Sequence, residues 1–269
     1  MRKVLLATTA LVAVNVTAAQ AADIAISGGV DFEMSDTGAA TTYNTDSNVM
    51  ITATDTTDAG LSTTAAININ GASTTGSTTE DAYIDLAGEF GSIRMGNTDD
   101  ALDRMDGAIP SNFDHQGVGQ TNTAAAIGGD SQNISFIAPS MGGATVYGTT
   151  TAEGAMTGMG VNYSNSGITV MYQAGQDGQS DETAVAANVS MAGVTVGFGQ
   201  VDVEAGTPSV KTKYRSMGAK YTMGAADFRV VSQKVVGGDK YSSIGVKYTI
   251  APGLAVILES GEQEDQSAT

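Results

Sequence analysis

Between Ile24 and Leu258 the chain is a succession of short segments in which apolar and polar residues alternate, each closed by a turn-forming cluster. Ile244, Val246, Tyr248 and Ile250 are separated by Gly245, Lys247 and Thr249, and Val185, Ala187, Val189 and Met191 by Ala186, Asn188 and Ser190. A period of two sends successive side chains to opposite faces of a strand. No helical stretch of comparable strength competes with it. Two arrangements satisfy the pattern. A soluble sandwich packs the apolar face inside, whereas a barrel in a membrane turns that face to lipid and keeps a wet interior.

The N-terminal residues favour export. Arg2 and Lys3 precede a mostly apolar run, Val4 to Ala19, and Ala19-Gln20-Ala21 is a small-x-small cleavage signal. Residues 1–21 are therefore expected to be a signal peptide, leaving 22–269 as one barrel domain. No later apolar run is long enough for a transmembrane helix. A strand-built membrane protein escapes that test, because alternation dilutes its apolar residues. The chain has no cysteine, so neither disulfides nor thiolate metal sites are available. It carries 29 Asp and Glu against 12 Lys and Arg, and Arg2 and Lys3 are two of those bases. That balance argues against a nucleic-acid partner, which requires a basic footprint.

Fifteen strands are expected, the first at Ile24–Met34 and the last at Gly253–Ser260. From the second strand on, every other connection is tight: Gly88–Gly91, Ser140–Gly143, Asn165–Ser166, Ala192, Met223–Ala225 and Ala251–Pro252 are examples. The intervening ones, such as Ser35–Ser47, Asn70–Asp81, Gln176–Glu182 and Asp202–Lys211, are longer and polar. Long loops on one side and tight turns on the other describe an up-and-down meander and fit a transmembrane antiparallel barrel. Tyr163, Tyr221 and Tyr248 lie on apolar faces just before tight turns, where an aromatic girdle is expected.

The most specific run is Gly88-Glu89-Phe90-Gly91-Ser92-Ile93-Arg94-Met95-Gly96. It resembles the G-x-F-G-x-[LI]-x-x-G signature of Gram-negative general-diffusion porins, particularly those of alphaproteobacterial type. Asn133-Ile134-Ser135-Phe136 followed by Pro139-Ser140-Met141-Gly142-Gly143 is similar to a hairpin of the same family. The resemblance implies a sixteen-stranded, water-filled barrel in the outer membrane, usually a homotrimer among lipid and lipopolysaccharide. Ions and small hydrophilic solutes diffuse passively through such a barrel. The resemblance also implies that the longest connection, Asn97–Gln132, folds inward and narrows the pore.

Parity then nominates the site. With Ile93 and Met95 facing lipid, Arg94 faces the lumen, and the same argument places Lys220, Arg229 and Lys247 inward. A Lys or Arg facing lipid at mid-depth would cost about 2–4 kcal/mol. Asp99, Asp100, Asp103 and Asp106 of the long loop are expected to face these bases across the constriction, and the acid excess predicts cation preference. No cofactor is expected, although loop carboxylates would suit calcium.

Other readings are weaker. The calcium-binding nonapeptide repeat and G-x-S-x-G are absent, and His115 is the sole histidine, so no enzyme is expected. A plugged structural or adhesive barrel is the alternative within the membrane, and a soluble sandwich is more distant. One departure from the family stands out. After the fifteenth strand comes Glu262-Gln263-Glu264-Asp265-Gln266, with no final strand ending in an aromatic residue. An open barrel would leave unpaired edges in lipid, so the expectation is a domain lacking its last strand.

Overall fold

The computed structural model describes residues 2–10, 23–36, 41–57, 60–72, 76–99, 101–113, 131–151, 154, 156–178 and 180–264, and structural statements below concern these. They form β1 (Arg2–Ala10), β2 (Asp23–Asp36), β3 (Thr41–Thr56), β4 (Ser62–Ala72), β5 (Gly76–Gly88) and β6 (Gly91–Thr98). A 3-10 helix, Ala101–Ala108, follows. The chain continues through β7 (Ser131–Ile137), β8 (Ala144–Thr151), β9 (Met156–Asn165), β10 (Ile168–Asp177) and β11 (Ser180–Met191). It ends with β12 (Val194–Ala205), β13 (Val210–Met223), β14 (Ala226–Val235), β15 (Lys240–Ala251) and β16 (Leu254–Glu264). Each strand pairs antiparallel with its sequence neighbours, and β1 lies between β16 and β2 to close the ring.

Each of the fifteen expected segments coincides with one of β2–β16. The sixteenth place is taken by Arg2–Ala10, within the segment expected as a leader. Strands are longer than expected at the loop end. β3 begins at Thr41, seven residues before the expected Asn48, and β10 and β11 are joined across Asp177 and Ser180 rather than by a seven-residue loop. The reason is that the ladder is a backbone property. Polar stretches such as Thr41–Ser47 extend it beyond the apolar band without needing a buried face.

The tight turns follow from backbone chirality. Ser166-Gly167 and Ala192-Gly193 both place two consecutive residues at positive φ, the geometry of a two-residue hairpin turn that matches the twist of its strands. The outward face carries the apolar residues: Ile84, Val146, Val189, Val196, Val230 and Ile244 are all exposed. Tyr163, Tyr221 and Tyr248 share that face near the tight turns, and Tyr221 stacks on Phe228 with centroids 6.5 Å apart. No helix among the described residues is long and apolar enough to cross a membrane.

The interior departs from a uniformly polar lumen. Tyr147, Met171, Ala184, Ala186 and Val201 are buried on the inward face of β8–β12, together with Ala101, Leu102 and Met105 of the 3-10 helix. Residues 101–109 of the long connection therefore fold inward and lie against an apolar patch of the wall.

Candidate functional site

The inward connection is held at its start by a polar triad. Ser135 Oγ accepts the Ala101 N–H at 3.0 Å, donates to Asn133 Oδ1 at 2.9 Å and lies 3.0 Å from Thr149 Oγ1. Asn133 Nδ2 donates to the Thr98 carbonyl at 2.7 Å. All of these side chains are buried, so unpaired they would carry a desolvation cost and paired they fix the loop's entry. Leu102 then reaches the wall where Gly158 has no side chain, and Tyr147 occupies the space over Gly160.

Beyond the helix the chain runs along the wall toward β16. Asn188 Nδ2 donates to the Ala108 carbonyl at 2.7 Å. Ile109 and Pro110 pass over Gly197 and Gly218, and Phe113 sits over Gly245. Glycines on three different strands thus cut a track that takes the loop's backbone at Gly197 and Gly218 and the Phe113 ring at Gly245. A Cβ at residue 218 would overlap the Pro110 backbone. Gly218→Val is expected to leave the barrel intact and to displace residues 108–113, detected as new protease cleavage there and as altered channel current; an unchanged digest and current would refute the track.

Arg229 fastens residues 111–113. Its guanidinium donates to the Ser111 and Asn112 carbonyls at 3.3 and 3.1 Å, lies 4.2 Å from the Phe113 ring centroid, and pairs with Asp227 at 3.2 Å. The Phe113 N–H donates to Glu259 Oε1 at 3.1 Å. One planar cation thereby joins two loop carbonyls, an aromatic face and a wall carboxylate.

The other nominated residues distribute as follows. Arg94 pairs with Asp85 at 2.9 Å and lies over the Tyr83 ring at 4.2 Å. Arg94, Asp85, Asp99, Asp103 and Arg104 line one lumen pocket of about 290 Å³. Lys220 pairs with Asp227 at 3.2 Å, and Lys247 stands opposite Asp227 in the β14–β15 register. Lys220, Arg229 and residues 108–111 share a second pocket of about 360 Å³. Asp100 lies outside the described residues. Asp106 falls in the 3-10 helix, and its side chain is likewise outside the description. The structure thus brings Arg94 together with loop acids, while Lys220, Arg229 and Lys247 gather around a wall acid. For calcium, no group of three or more acidic or histidine side chains among the described residues is arranged to hold a metal.

Sequence reasoning passed over Asp85, Asp227 and Glu259. Parity could have found the first two, since Asp85 sits between Ile84 and Leu86, and Asp227 is two residues from Arg229 on the same face. The inward face of β2–β6, across the lumen from the track, adds Asp31, Glu33, Asp46 and Asp81 to Asp85, with Arg94 as its single base among the described residues.

A ring of antiparallel strands with an apolar exterior, a charged interior and residues 101–113 laid along the inner wall defines a transmembrane β-barrel. A family model for Gram-negative porins matches residues 7–268, and the chain belongs to that family. The family's barrels are outer-membrane channels and not enzymes. No curated protein matches the sequence. Among solved structures, an anion-selective porin from Comamonas acidovorans is 14% identical, with TM-score 0.72, covering 100% of this chain and 90% of that one. A triple mutant of Rhodopseudomonas blastica porin is 15% identical, with TM-score 0.66, covering 98% of both chains. At these identities the likeness speaks for the fold alone.

Proposed function

We propose that the protein is a cation-preferring general-diffusion channel, a homotrimer in the outer membrane, through which ions and small hydrophilic solutes pass the constriction made by the loop 97–132. One observation carries the cation preference: five acids face one base on the β2–β6 wall that borders the lumen opposite the track. A narrow passage bounded by low-dielectric walls concentrates counter-ions of the opposite sign. Arg94 and Arg104 beside Asp99 and Asp103 supply a local field of mixed sign, which suits polar solutes better than apolar ones.

The test is the reversal potential of the reconstituted full chain in a potassium chloride gradient. A potential of the sign set by potassium supports the reading. A chloride-signed or zero potential refutes cation preference, and folded, inserted protein without conductance replaces the channel by the plugged structural barrel. Three-step closures support the trimer, and single-step closures speak against it.

A further inference from the structure

Ten Lys and Arg follow residue 22, and five of them, Lys211, Lys213, Arg215, Lys234 and Lys240, lie on the outward face. The face is fixed by parity: Arg215 shares it with Met217 and Tyr221, while Ser216 and Gly218 turn inward. All five sit at the long-loop ends of three adjacent strands, β13 to β15. Beyond residue 22 no other described strand carries a base on this face; on β1, Lys3 stands in the outward register beside Ser260 and Asp36.

The register aligns three of them on one rung: Arg215 opposes Lys234, and Lys234 opposes Lys240. Flanking acids account for the outer members. Lys211 pairs with Glu204 at 2.9 Å, Lys213 with Asp202 at 3.3 Å, and Lys240 with Glu264 at 3.6 Å. The Arg215 Nε–H donates to Gln200 Oε1 at 3.2 Å, a neutral partner. Among the described residues no carboxylate forms an ion pair with Arg215 or Lys234. Like charges directly opposed on neighbouring strands destabilise a sheet. They persist where an anion from outside bridges them.

The surroundings say which anion. Six residues separate Lys234 from Phe228 of the aromatic girdle, about 20 Å along the strand, so the rung lies at the upper margin of the apolar band. Immediately below it is an outward groove of about 400 Å³ lined by Val230, Ile244, Ser232, Ser242, Ser260 and Lys240, with the Glu262 carboxylate at the level of the hydroxyls, accepting from Ser242 Oγ at 3.4 Å. Cations stand above hydroxyls, and hydroxyls above aliphatic side chains, matching the order of a phosphorylated lipid from headgroup to acyl chain.

Resting on the outer-membrane reading above, we propose that Arg215, Lys234 and Lys240 form a binding site for a phosphate of an outer-leaflet glycolipid, whose acyl chain lies in the groove below. The charge of the site is complementary to the phosphate, and its place on the barrel is the depth at which headgroups lie. The proposal concerns a bilayer phosphate rather than a free one, because the groove supplies the apolar half of the contact.

The full chain is reconstituted in phosphatidylcholine vesicles with and without fluorescent diphosphorylated lipid A, as wild type, as Arg215→Gln/Lys234→Gln, and as the charge-conserving Arg215→Lys/Lys234→Arg. Lipid A is expected to be enriched around the wild type. Removing two cations near an anionic headgroup should reduce that enrichment about thirtyfold, and the conservative pair should retain most of it. Excess inorganic phosphate should compete poorly. Equal enrichment in all three proteins overturns the proposal, as does full displacement by inorganic phosphate. A change of oligomeric state in the glutamine variant without lipid A also overturns it, in favour of a contact with a second copy. Channel conductance recorded from the same vesicles separates this failure from failure of the porin reading, since barrels that conduct without enriching lipid A sink only the lipid site.

Discussion

Replacing Arg229 by alanine should free residues 111–113 of the inward loop and turn a steady pore current into a flickering one. Arg229 donates two charge-assisted hydrogen bonds to loop carbonyls and stacks on Phe113. Hydrogen bonds to charged groups contribute about 1.5–3 kcal/mol each. Losing the pair weakens docking by roughly 3 kcal/mol, about a hundredfold in the ratio of docked to released loop. Among the described residues, the Phe113 N–H to Glu259 is the hydrogen bond that still ties 111–113 to the wall, and it joins only one residue. The barrel itself should survive, because its ladders do not involve this side chain. Lysine should rescue poorly, since an ammonium is a point donor and cannot reproduce the planar fork over the ring and toward both carbonyls. Single-channel noise and protease sensitivity of residues 109–113 are the readouts. A quiet alanine variant that resists protease would show that the glycine track alone holds the loop.

That prediction also marks where sequence reasoning stops. The strands were legible because their signal is local: Ile244, Val246 and Tyr248 declare a face without reference to anything distant. Arg229 was legible as an inward base, but its task was not. Parity gives a direction and no partner, and the partners here are carbonyls more than a hundred residues away. Gly158, Gly197, Gly218 and Gly245 looked like ordinary polar-face glycines. Only when the loop's backbone is seen over Gly197 and Gly218, the Phe113 ring over Gly245 and Leu102 over Gly158 does their lack of a Cβ acquire a purpose. The apolar inward patch of Met171, Ala184, Ala186 and Val201 was hidden for the opposite reason. Alanines and valines on both faces of a strand blur the alternation that membrane barrels otherwise show. The outward group of bases did have a signal on β13, the i, i+2, i+4 spacing of Lys211, Lys213 and Arg215. No inward or outward place was assigned to these three from sequence, and their outward position fits a level above the apolar band, where a base facing out carries little cost.

The second large effect concerns ring closure. β1 pairs with β16 from Arg2↔Gly261 to Thr9↔Leu254 and with β2 from Lys3↔Asp36 to Ala10↔Gly29. Removing a leader after Ala21 would remove β1, exposing the backbone of both neighbours at the depth of the apolar band. Each unsatisfied backbone group in hydrocarbon costs several kcal/mol. A ladder of eight positions on each side therefore exceeds the roughly 5–15 kcal/mol by which proteins are stable. The chain beginning at Ala22 is expected to refold poorly in vesicles, with loss of heat-resistant barrel and of stable conductance, whereas the chain from Met1 refolds. Appending one amphipathic strand after Thr269 should restore the truncated form, because a strand following β16 runs antiparallel to it and arrives beside β2 in the direction β1 takes. If the truncated chain instead folds and conducts as well as the full one, β2 and β16 close on each other and the ring tolerates fifteen strands. Rescue by the appended strand would show that what the ring requires is a strand in that place, whatever its origin in the chain.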